Sequence, residues 1–432
     1  MAFRLGQAGA LVLAAETKHK PIIIIGKDTR ISCDMLEGAL IAGICSVGAD
    51  AVSLGVIPTP AVAHLTRLYG ADAGVMISAS HNSFEFNGVK FFSGKGYKLS
   101  DEVEERIEGL IGAGLDGFDG FALPMGNGVG RHSVCGEATN DYIKFLKTIC
   151  QCDLSGLSVA LDCANGAAYE VAPAVFRELG ANVSVIGNQP DGVNINDKCG
   201  STHIDGLLKL TADCKADAGF AFDGDADRVL ASDETGGLID GDALMALIGL
   251  DLKEKGRLRG ETVVATIMSN LGLEMALKKI GVNLVRTAVG DRNVLEEMLR
   301  SSYSFGGEQS GHIIYSDLNT TGDGIATALM TISILAASGR RFSQLTGVLK
   351  LMPQVLKNAR VSNSKKYKYL EDDVVRRVCR ELEEQFNGEG RVLIRPSGTE
   401  PLVRVMIEAD NIDVITRKAN ELVRVIEDRL GE

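Results

Sequence analysis

The sequence predicts an α/β protein built from three similar domains with parallel-rich mixed sheets, followed by a smaller C-terminal α+β domain. Three observations support this fold class. A chain of 432 residues is too long for a single hydrophobic core. An apolar strand, a glycine-containing turn, a helix, a glycine and a second strand recur three times along the chain. After about Ser343 this repeat ends and a shorter, mixed pattern begins.

The three repeats share continuous apolar runs, which indicate strands that are buried on both faces of a parallel sheet. A glycine follows each predicted helix, as expected for a left-handed helix end. The predicted strands of the repeats cover residues 22–25, 51–54, 157–161, 182–186, 262–267 and 283–287. The resulting domains are expected at 1–132, 133–235, 236–346 and 347–432.

The two ends of the chain have their own patterns. The residues that follow Met1 predict an amphipathic helix. The last domain is expected to open with a linker strand over 348–353, which Pro353 ends. A helix over 370–386, strands over 392–394 and 402–408, and a helix over 412–430 complete the predicted domain.

Each repeat also carries a polar loop directly after an apolar strand. The identical stretch Ala-Asp-Ala-Gly, at 71–74 and at 216–219, precedes the strands that lead into Ser78–Asn82 and Asp223–Arg228. In the third repeat, the strand is followed by Gly306–His312. Parallel sheets place ligand sites at the carboxyl ends of their strands, so we expect the three loops to face one crevice.

The second loop predicts a metal site. Asp223, Asp225 and Asp227 alternate within six residues, and Mg²⁺ prefers such oxygen ligands. An EF-hand calcium loop is an alternative, because Glu234 is the twelfth residue counted from Asp223. However, Arg228 stands where that loop needs glycine, and a strand rather than a helix precedes it. A solvated acidic turn is the other alternative.

The remaining loops suit a phosphorylated ligand. Ser80, beside the metal site, is a candidate phosphate carrier, and Lys90 is a candidate positive group or proton shuttle. Alone, these residues would be interpreted as a turn serine and a surface lysine. The third loop offers Glu308, Ser310 and His312 to sugar hydroxyls, with a glycine-rich turn as the alternative. The last domain offers a candidate anion site formed by Arg395, Ser397, Gly398, Thr399 and Arg404.

Taken together, the four loops resemble those of the α-D-phosphohexomutase superfamily, in the same order along nearly the whole chain. The four motifs are Ser78-Ala79-Ser80-His81-Asn82, Asp223-Gly224-Asp225-Ala226-Asp227-Arg228, Gly307-Glu308-Gln309-Ser310-Gly311-His312 and Arg395-Pro396-Ser397-Gly398-Thr399-Glu400-Pro401. The resemblance implies four domains around a central cleft. The third motif and Gly26-Lys27-Asp28-Thr29-Arg30 look like the bacterial branch that acts on glucosamine phosphate.

The resemblance also implies a mechanism. Ser80 would carry a phosphate and, with the three aspartates, ligate one Mg²⁺ per chain. The phosphate would pass to the sugar, give a bisphosphate, and return from the other position. A sugar bisphosphate or a kinase would first have to phosphorylate Ser80. The implied roles are proton transfer and charge stabilisation for His81, Lys90 and Arg30, and substrate binding for Arg228, Glu308, Ser310, His312, Arg395, Ser397, Gly398, Thr399 and Arg404.

Two departures from the superfamily pattern stand out. Ser83 replaces a usual proline, and the strand with a Gly-Thr-Asp-Gly-x-Arg-Gly loop that normally precedes the first helix is missing. We therefore expect the first sheet to lack an edge strand. The alternative functions are a phosphomannomutase or phosphoglucomutase, a poorly active sugar-phosphate binder, and an aspartyl-phosphate phosphatase that uses Asp223.

The net charge and the composition limit the kinds of partner that the chain is expected to bind. The net charge of −12 argues against nucleic acid and membrane surfaces, which attract basic proteins. No run of apolar residues is long enough for a spanning helix, and no signal peptide is recognisable. We therefore expect a cytoplasmic monomer or homodimer whose partner is a phosphosugar.

Overall fold

The computed structural model describes residues 1–15, 17–113, 121, 123–397 and 400–431. They form two compact units. The first contains Met1–Met268 with Val282–Val348, and the second contains Ser269–Gly281 with Leu349–Glu432. The first unit holds three β-sheets, and we call each of these sheets with its flanking helices a domain. The second unit holds one sheet.

The first domain is a five-stranded sheet with helices packed against it. Its helices are α1 (Ala2–Leu13), α2 (Cys33–Ser46), α3 (Thr59–Leu68) and α4 (Asp101–Gly112). Its strands are β1 (Ile22–Lys27), β2 (Asp50–Val56), β3 (Ala73–Ile77), β4 (Val89–Ser93) and β5 (His132–Val134), in the order β4-β3-β1-β2-β5. Strand β1 is parallel to β2 and β3, whereas β4 is antiparallel to β3.

The second domain repeats this arrangement. Its helices are α5 (Ala138–Ile149), α6 (Ala168–Glu178) and α7 (Asp205–Asp213). Its strands are β6 (Ser158–Asp162), β7 (Asn182–Ile186), β8 (Ala218–Phe222), β9 (Val229–Asp233) and β10 (Leu238–Ile239), in the order β10-β9-β8-β6-β7. Strand β6 is parallel to β7 and β8, and β9 is antiparallel to β8.

The third domain has four strands. The helices of this part of the chain are α8 (Gly241–Glu254), α9 (Leu271–Lys279), α10 (Asp291–Ser301), α11 (Gly324–Ser338) and α12 (Phe342–Thr346), of which α9 belongs to the second unit. The strands are β11 (Thr262–Thr266), β12 (Asn283–Thr287), β13 (Phe305–Gly307) and β14 (Ile313–Tyr315), in the order β12-β11-β13-β14. Again β11 is parallel to both neighbours, and β14 is antiparallel to β13.

The second unit packs two further helices on an antiparallel sheet. Its elements after α9 are β15 (Gln354–Arg360), α13 (Asp373–Phe386), β16 (Arg391–Pro396), β17 (Leu402–Glu408) and α14 (Ile412–Leu430). Strand β17 lies between β15 and β16. Short 3₁₀ turns cover Gly126–Gly128, Arg259–Glu261 and Lys368–Leu370. Within the described ranges, no helix combines the length and apolarity needed to cross a membrane.

The three similar domains place one polar loop each at the same connection. In every domain a parallel strand (β3, β8 or β13) is followed by a loop and then by an antiparallel neighbour (β4, β9 or β14). Strands β3 and β8 are buried at every residue. The loop therefore begins where the chain leaves the hydrophobic core, at the carboxyl end of a parallel strand.

Most predicted elements are confirmed, and one is wrong. The bounds of β7, β12, β17 and α14 are the predicted ones. The glycines after α2, α6 and α9 adopt positive φ angles of 97°, 96° and 70°, as expected for left-handed helix ends. The predicted linker strand over 348–353 does not form. The strand begins after Pro353, at Gln354, because its partner β17 ends at Glu408, directly opposite Gln354.

Candidate active site

We name the four loops by their main residue. The serine loop is Ser78–Asn82, the aspartate loop is Asp223–Arg228, the glutamate loop is Glu308–His312, and the arginine loop is Arg395–Pro401. The first three belong to the first unit and lie side by side. The arginine loop belongs to the second unit.

The aspartate loop buries three carboxyl groups together. The relative exposures of Asp223, Asp225 and Asp227 are 0%, 0% and 4%. One oxygen of each lies within 4.8 Å of one oxygen of the others. The hydroxyl of Ser80 donates a hydrogen bond to Asp223 Oδ2 at 2.6 Å. The serine side chain therefore adjoins the carboxylate cluster.

Lys90 on β4 is the nearest counter-charge to this cluster. Its Nζ lies 2.5 Å from Asp225 Oδ2 and 3.6 Å from Asp227 Oδ2. Burial alone would lower the pKa of Lys90, but Asp225 and Asp227 raise it, so the side chain is cationic. Burial would likewise raise the pKa of Asp227, yet the charge of Lys90 and a hydrogen bond from His312 hold it well below its usual value. Burial and the other two carboxylates raise the pKa of Asp223.

Two oxygens of the cluster are suited to a metal ion. Asp225 Oδ1 and Asp227 Oδ1 are buried and have no hydrogen-bond partner in the described part of the chain. Buried oxygens of this kind are destabilising unless a cation or a donor contacts them. The donors are all oxygens, as hard divalent cations prefer. An EF-hand is excluded because the loop joins the strands β8 and β9 rather than two helices.

The backbone of the serine loop is held by Arg30. This arginine is only 2% exposed and forms an ion pair with Asp28. Its Nη2 donates to Ser80 O at 3.0 Å and to Asn82 O at 2.5 Å. Ser80 itself has a left-handed φ of 51°, and its N–H donates to Ser78 Oγ at 2.9 Å. Arg30 thus contacts the main chain of the loop rather than the Ser80 hydroxyl.

His81 and Arg228 lie at the rim of the cluster. Arg228 Nη1 is 3.2 Å from His81 Nδ1, and the N–H of Arg228 donates to Asp223 Oδ1 at 3.2 Å. Partial burial and the charge of Arg228 lower the pKa of His81. The imidazole is therefore neutral near pH 7 and can accept a proton there.

The glutamate loop packs directly on the aspartate loop. The N–H of Val229 donates to Gly311 O at 3.1 Å, and His312 Nδ1 lies 3.6 Å from Asp227 Oδ2. His312 Nε2 accepts a hydrogen bond from the N–H of Gly322 at 3.1 Å. Glu308 Oε1 accepts one from Gly290 at 3.1 Å, whereas Ser310 is exposed. The loop therefore presents a carboxylate and a hydroxyl next to the carboxylate cluster.

In the second unit, Arg395 and Arg404 occupy facing positions on β16 and β17. Burial and the charge of Arg404 lower the pKa of Arg395. Like charges opposite each other in a sheet are destabilising, and an anion would relieve this repulsion. Ser397 is 3% exposed, and its Oγ accepts a hydrogen bond from the backbone N–H of Glu400 at 3.3 Å. The predicted ligands Gly398 and Thr399 lie outside the described residues.

Two residues that contact the aspartate and serine loops were not predicted from the sequence. Thr59 donates to Asp225, and Asn196 donates to the serine loop. The only local signal for Thr59 is its position between two prolines at a helix start. Asn196 has a left-handed φ of 57°, which asparagine tolerates better than most residues, but its sequence neighbours give no hint of its contacts.

Comparison with known proteins identifies the family. The chain matches the phosphoglucomutase/phosphomannomutase alpha/beta/alpha domains I, II and III at residues 1–115, 140–237 and 240–352, and the C-terminal domain of the same family at 356–425. It is 59% identical, over 431 residues, to a phosphoglucosamine mutase of Acetivibrio thermocellus, covering 100% of this chain and 95% of the relative. The chain belongs to the phosphoglucomutase/phosphomannomutase family.

Further relatives of this family agree. A phosphoglucosamine mutase of Clostridium acetobutylicum is 56% identical over 427 residues, which is 99% of this chain and 94% of the relative. A solved phosphoglucomutase/phosphomannomutase family protein of Burkholderia thailandensis has a TM-score of 0.80 at 20% identity, covering 99% of this chain and 93% of that one. At that identity the likeness concerns the fold alone. The predicted superfamily and fold class are confirmed.

Proposed function

We propose that this chain is a phosphoglucosamine mutase that interconverts glucosamine 6-phosphate and glucosamine 1-phosphate, with Ser80 as the carrier of the transferred phosphate. The observation that carries this proposal is the hydrogen bond from Ser80 to Asp223, beside two buried carboxylate oxygens that have no hydrogen-bond partner among the described residues. Relatives at 53–59% identity that carry the name phosphoglucosamine mutase support the choice of sugar.

The residues that would hold Mg²⁺ are Asp223, Asp225 and Asp227, together with Ser80 when it is phosphorylated. When bound there, Mg²⁺ supplies positive charge that favours the developing charge of phosphoryl transfer. Lys90 keeps Asp227 ionised, and Asp223, with its raised pKa, accepts the hydrogen bond of the Ser80 hydroxyl while both phosphates are on the sugar. Arg30 fixes the backbone from which this hydroxyl projects.

The reaction then proceeds in two transfers. The free hydroxyl of the sugar monophosphate loses its proton and attacks the phosphorus on Ser80, so that a new P–O bond forms while the bond to Ser80 Oγ breaks. The resulting bisphosphate turns over, and Ser80 takes the other phosphate by the reverse step. His81 is assigned to proton transfer, because its lowered pKa keeps it neutral, and Arg228 to stabilising the phosphate.

Sugar recognition is assigned to the glutamate and arginine loops. Glu308 and Ser310 bind sugar hydroxyls, and His312 supports Asp227. Arg395, Ser397, Gly398, Thr399 and Arg404 bind the phosphate that is not transferred. A sugar bisphosphate or a kinase supplies the first phosphate to Ser80. The cytoplasmic location and the monomeric or homodimeric state stay predictions.

The test uses purified chain with Mg²⁺, glucosamine 6-phosphate and a trace of glucosamine 1,6-bisphosphate. The wild type should form glucosamine 1-phosphate, and intact-mass analysis should find one phosphate per chain. Ser80→Ala should lose both signals, whereas Ser83→Ala, at an exposed serine in the same segment, should keep both. Turnover by the Ser80→Ala protein would refute the covalent mechanism.

A phosphoglucomutase or phosphomannomutase is the second candidate, because the matching family domains carry those names. The two candidates differ in the group at carbon 2 of the sugar. Comparing kcat/KM for the 1-phosphates of glucosamine, glucose and mannose separates them. We expect glucosamine 1-phosphate to be turned over most efficiently.

A further inference from the structure

Two side chains outside the four loops connect the first and second domains in a crosswise manner. Thr59, the first residue of α3 in the first domain, contacts the aspartate loop of the second domain. Asn196, between β7 and α7 of the second domain, contacts the serine loop of the first domain. Their exposures are 0% and 6%, so water competes little with either contact.

We propose that Thr59 and Asn196 are positioning residues, through which each domain fixes the catalytic loop of the other. Thr59 sets which oxygen of Asp225 is free for the metal ion. Asn196 holds Ser80 in its left-handed conformation. This inference rests on the proposed function, since it assigns a purpose to contacts with the proposed metal site and phosphate carrier.

The two oxygens of Asp225 have different surroundings. Oδ2 accepts hydrogen bonds from Thr59 Oγ1 and from Lys90 Nζ, both at 2.5 Å. Oδ1 is buried and has no hydrogen-bond partner within the described residues. One oxygen of the carboxylate is therefore hydrogen-bonded to the protein, and the other is left for a cation. Without the Thr59 hydroxyl, Lys90 would be the one hydrogen-bond donor left to Oδ2 among the described residues.

Helix capping does not account for the Thr59 hydroxyl. Helix α3 has Pro58 at its N-cap, and no side chain caps it. The hydroxyl of Thr59 is directed to Asp225 instead, and the backbone N–H of Thr59 donates to Asp225 O at 2.9 Å. Both polar groups at the start of α3 thus bind one residue of the other domain.

Asn196 contacts the strained part of the serine loop. A non-glycine residue in the left-handed region is strained, so Ser80 needs support. Asn196 Nδ2 donates to Ser80 O and to Asn82 O, each at 2.9 Å. Arg30 donates to the same two carbonyls from the first domain. Two domains therefore hold the same pair of carbonyl groups around the phosphate carrier.

The surrounding interface is equally close. Thr29 Oγ1 donates to Asn165 O at 2.6 Å, and the N–H of Ile31 donates to Gly192 O at 2.8 Å. A Cβ on Gly224 of the aspartate loop would lie 2.5 Å from Ser80 O. The two loops therefore approach each other backbone to backbone, and a small rotation of either would be transmitted to the other.

The test of Thr59 compares Thr59→Val, which keeps the shape but removes the hydroxyl, with Thr59→Ser, which keeps it. Mg²⁺ binding to the full chain is measured by calorimetry without sugar. We expect Thr59→Val to raise the Kd for Mg²⁺ about tenfold, or about 1.4 kcal/mol. Thr59→Ser should stay within about twofold of the wild type, and both should melt within a few degrees of it.

The outcomes separate this inference from the proposed function. If the wild type and Thr59→Val bind Mg²⁺ equally, the role of Thr59 is refuted while the metal site stands. If the wild type binds no Mg²⁺, this inference falls together with the proposed metal site. A preference for a different sugar would alter the proposed function and leave the Mg²⁺ result unaffected.

The test of Asn196 uses glycine, which tolerates the left-handed backbone, so that only the side-chain contacts are lost. Asn196→Gly should lower kcat at least about tenfold with KM for the sugar phosphate unchanged, because Ser80 is less well oriented. Asn387→Gly, at an exposed left-handed asparagine after α13, should match the wild type. An Asn196→Gly protein with wild-type kcat would refute the positioning role.

Discussion

Replacing Lys90 by methionine tests whether the aspartate loop is built for a cation. Lys90 is the side chain whose charge lies nearest to Asp225 and Asp227, and methionine keeps its length without the charge. In the variant, three buried carboxyl groups face one another without this counter-charge. We expect Lys90→Met to destabilise the metal-free protein and to make its stability depend more strongly on Mg²⁺.

The magnitude follows from the two distances. At 2.5 Å and 3.6 Å, and with an effective dielectric constant of about 20, Coulomb's law gives about 7 and about 5 kcal/mol before desolvation is subtracted. Removing one partner of a buried ion pair typically costs about 3–5 kcal/mol. The Lys90 side chain is 24% exposed, so we expect the lower end, about 3 kcal/mol. That corresponds to a fall in Tm of about 6 °C.

The assay is thermal melting with and without saturating Mg²⁺. Binding to the folded state alone raises stability with metal concentration, and in Lys90→Met the metal also replaces the missing charge. The increase in Tm on adding Mg²⁺ should therefore be larger in the variant than in the wild type. Lys95→Met, at an exposed lysine just after β4, is the matched control. Equal Mg²⁺ shifts in the variant and the wild type would show that Lys90 does not balance a metal site.

Three further predictions concern other parts of the chain. Burial and the charge of Arg67 lower the pKa of His64 from 6.5 to about 4. The contribution of the neutral His64 to the free energy of unfolding is therefore fully present above pH 6.5 and is lost as the pH falls toward 4. In urea unfolding, His64→Gln should flatten this pH dependence, and an unchanged profile would exclude His64 as its source. Gly311→Ala should lower Tm and raise KM, because φ is +91° and the new Cβ would lie 2.1 Å from Val229 O. Gly339→Ala, where φ is +63° and nothing lies within 4 Å of the new Cβ, should lower the free energy of unfolding by only about 1–2 kcal/mol. If Gly311→Ala and Gly339→Ala lost the same amount of stability, the predicted clash of the new Cβ at Gly311 with Val229 would be wrong. Arg395→Ala should weaken glucosamine 6-phosphate binding in calorimetry by about ten- to a hundredfold, while the exposed Arg417→Ala should not, and equal affinities would refute the anion site.

The strands of the three similar domains could be predicted because their cores are simple. Runs such as 182–186 and 283–287 are short, contain valine, leucine or isoleucine, and follow a glycine that ends a helix, so their bounds are clear in the sequence. Helices α8 and α11 could not be found in this way. Ten residues of α8 and nine of α11 are buried, so neither helix shows the one-sided apolar stripe that reveals a surface helix.

In the candidate site, too, features within one loop could be predicted from the sequence, whereas contacts between distant residues could not. Asp223, Asp225 and Asp227 could be predicted because their spacing is unusual within one loop. Thr59 and Asn196 could not, because the residues that they contact lie 166 and 116 positions away along the chain. Their contacts exist only after the two domains have packed. A single sequence gives the residues that react, but not the residues that orient them across a domain interface.

The three polar loops share one feature that explains why the serine loop needs this outside support. Each loop reverses from a parallel to an antiparallel strand through one left-handed residue, which is Ser80, Ala226 or Gly311, with φ of 51°, 57° and 91°. Glycine adopts this conformation without strain, and Ala226 carries no reactive group. In the first domain alone, the strained position also bears the candidate nucleophile. A serine there projects its hydroxyl at the aspartate loop, and Arg30 and Asn196 both donate hydrogen bonds to its carbonyl group. The hydrogen bonds from two domains therefore converge on the turn that bears the proposed phosphate carrier.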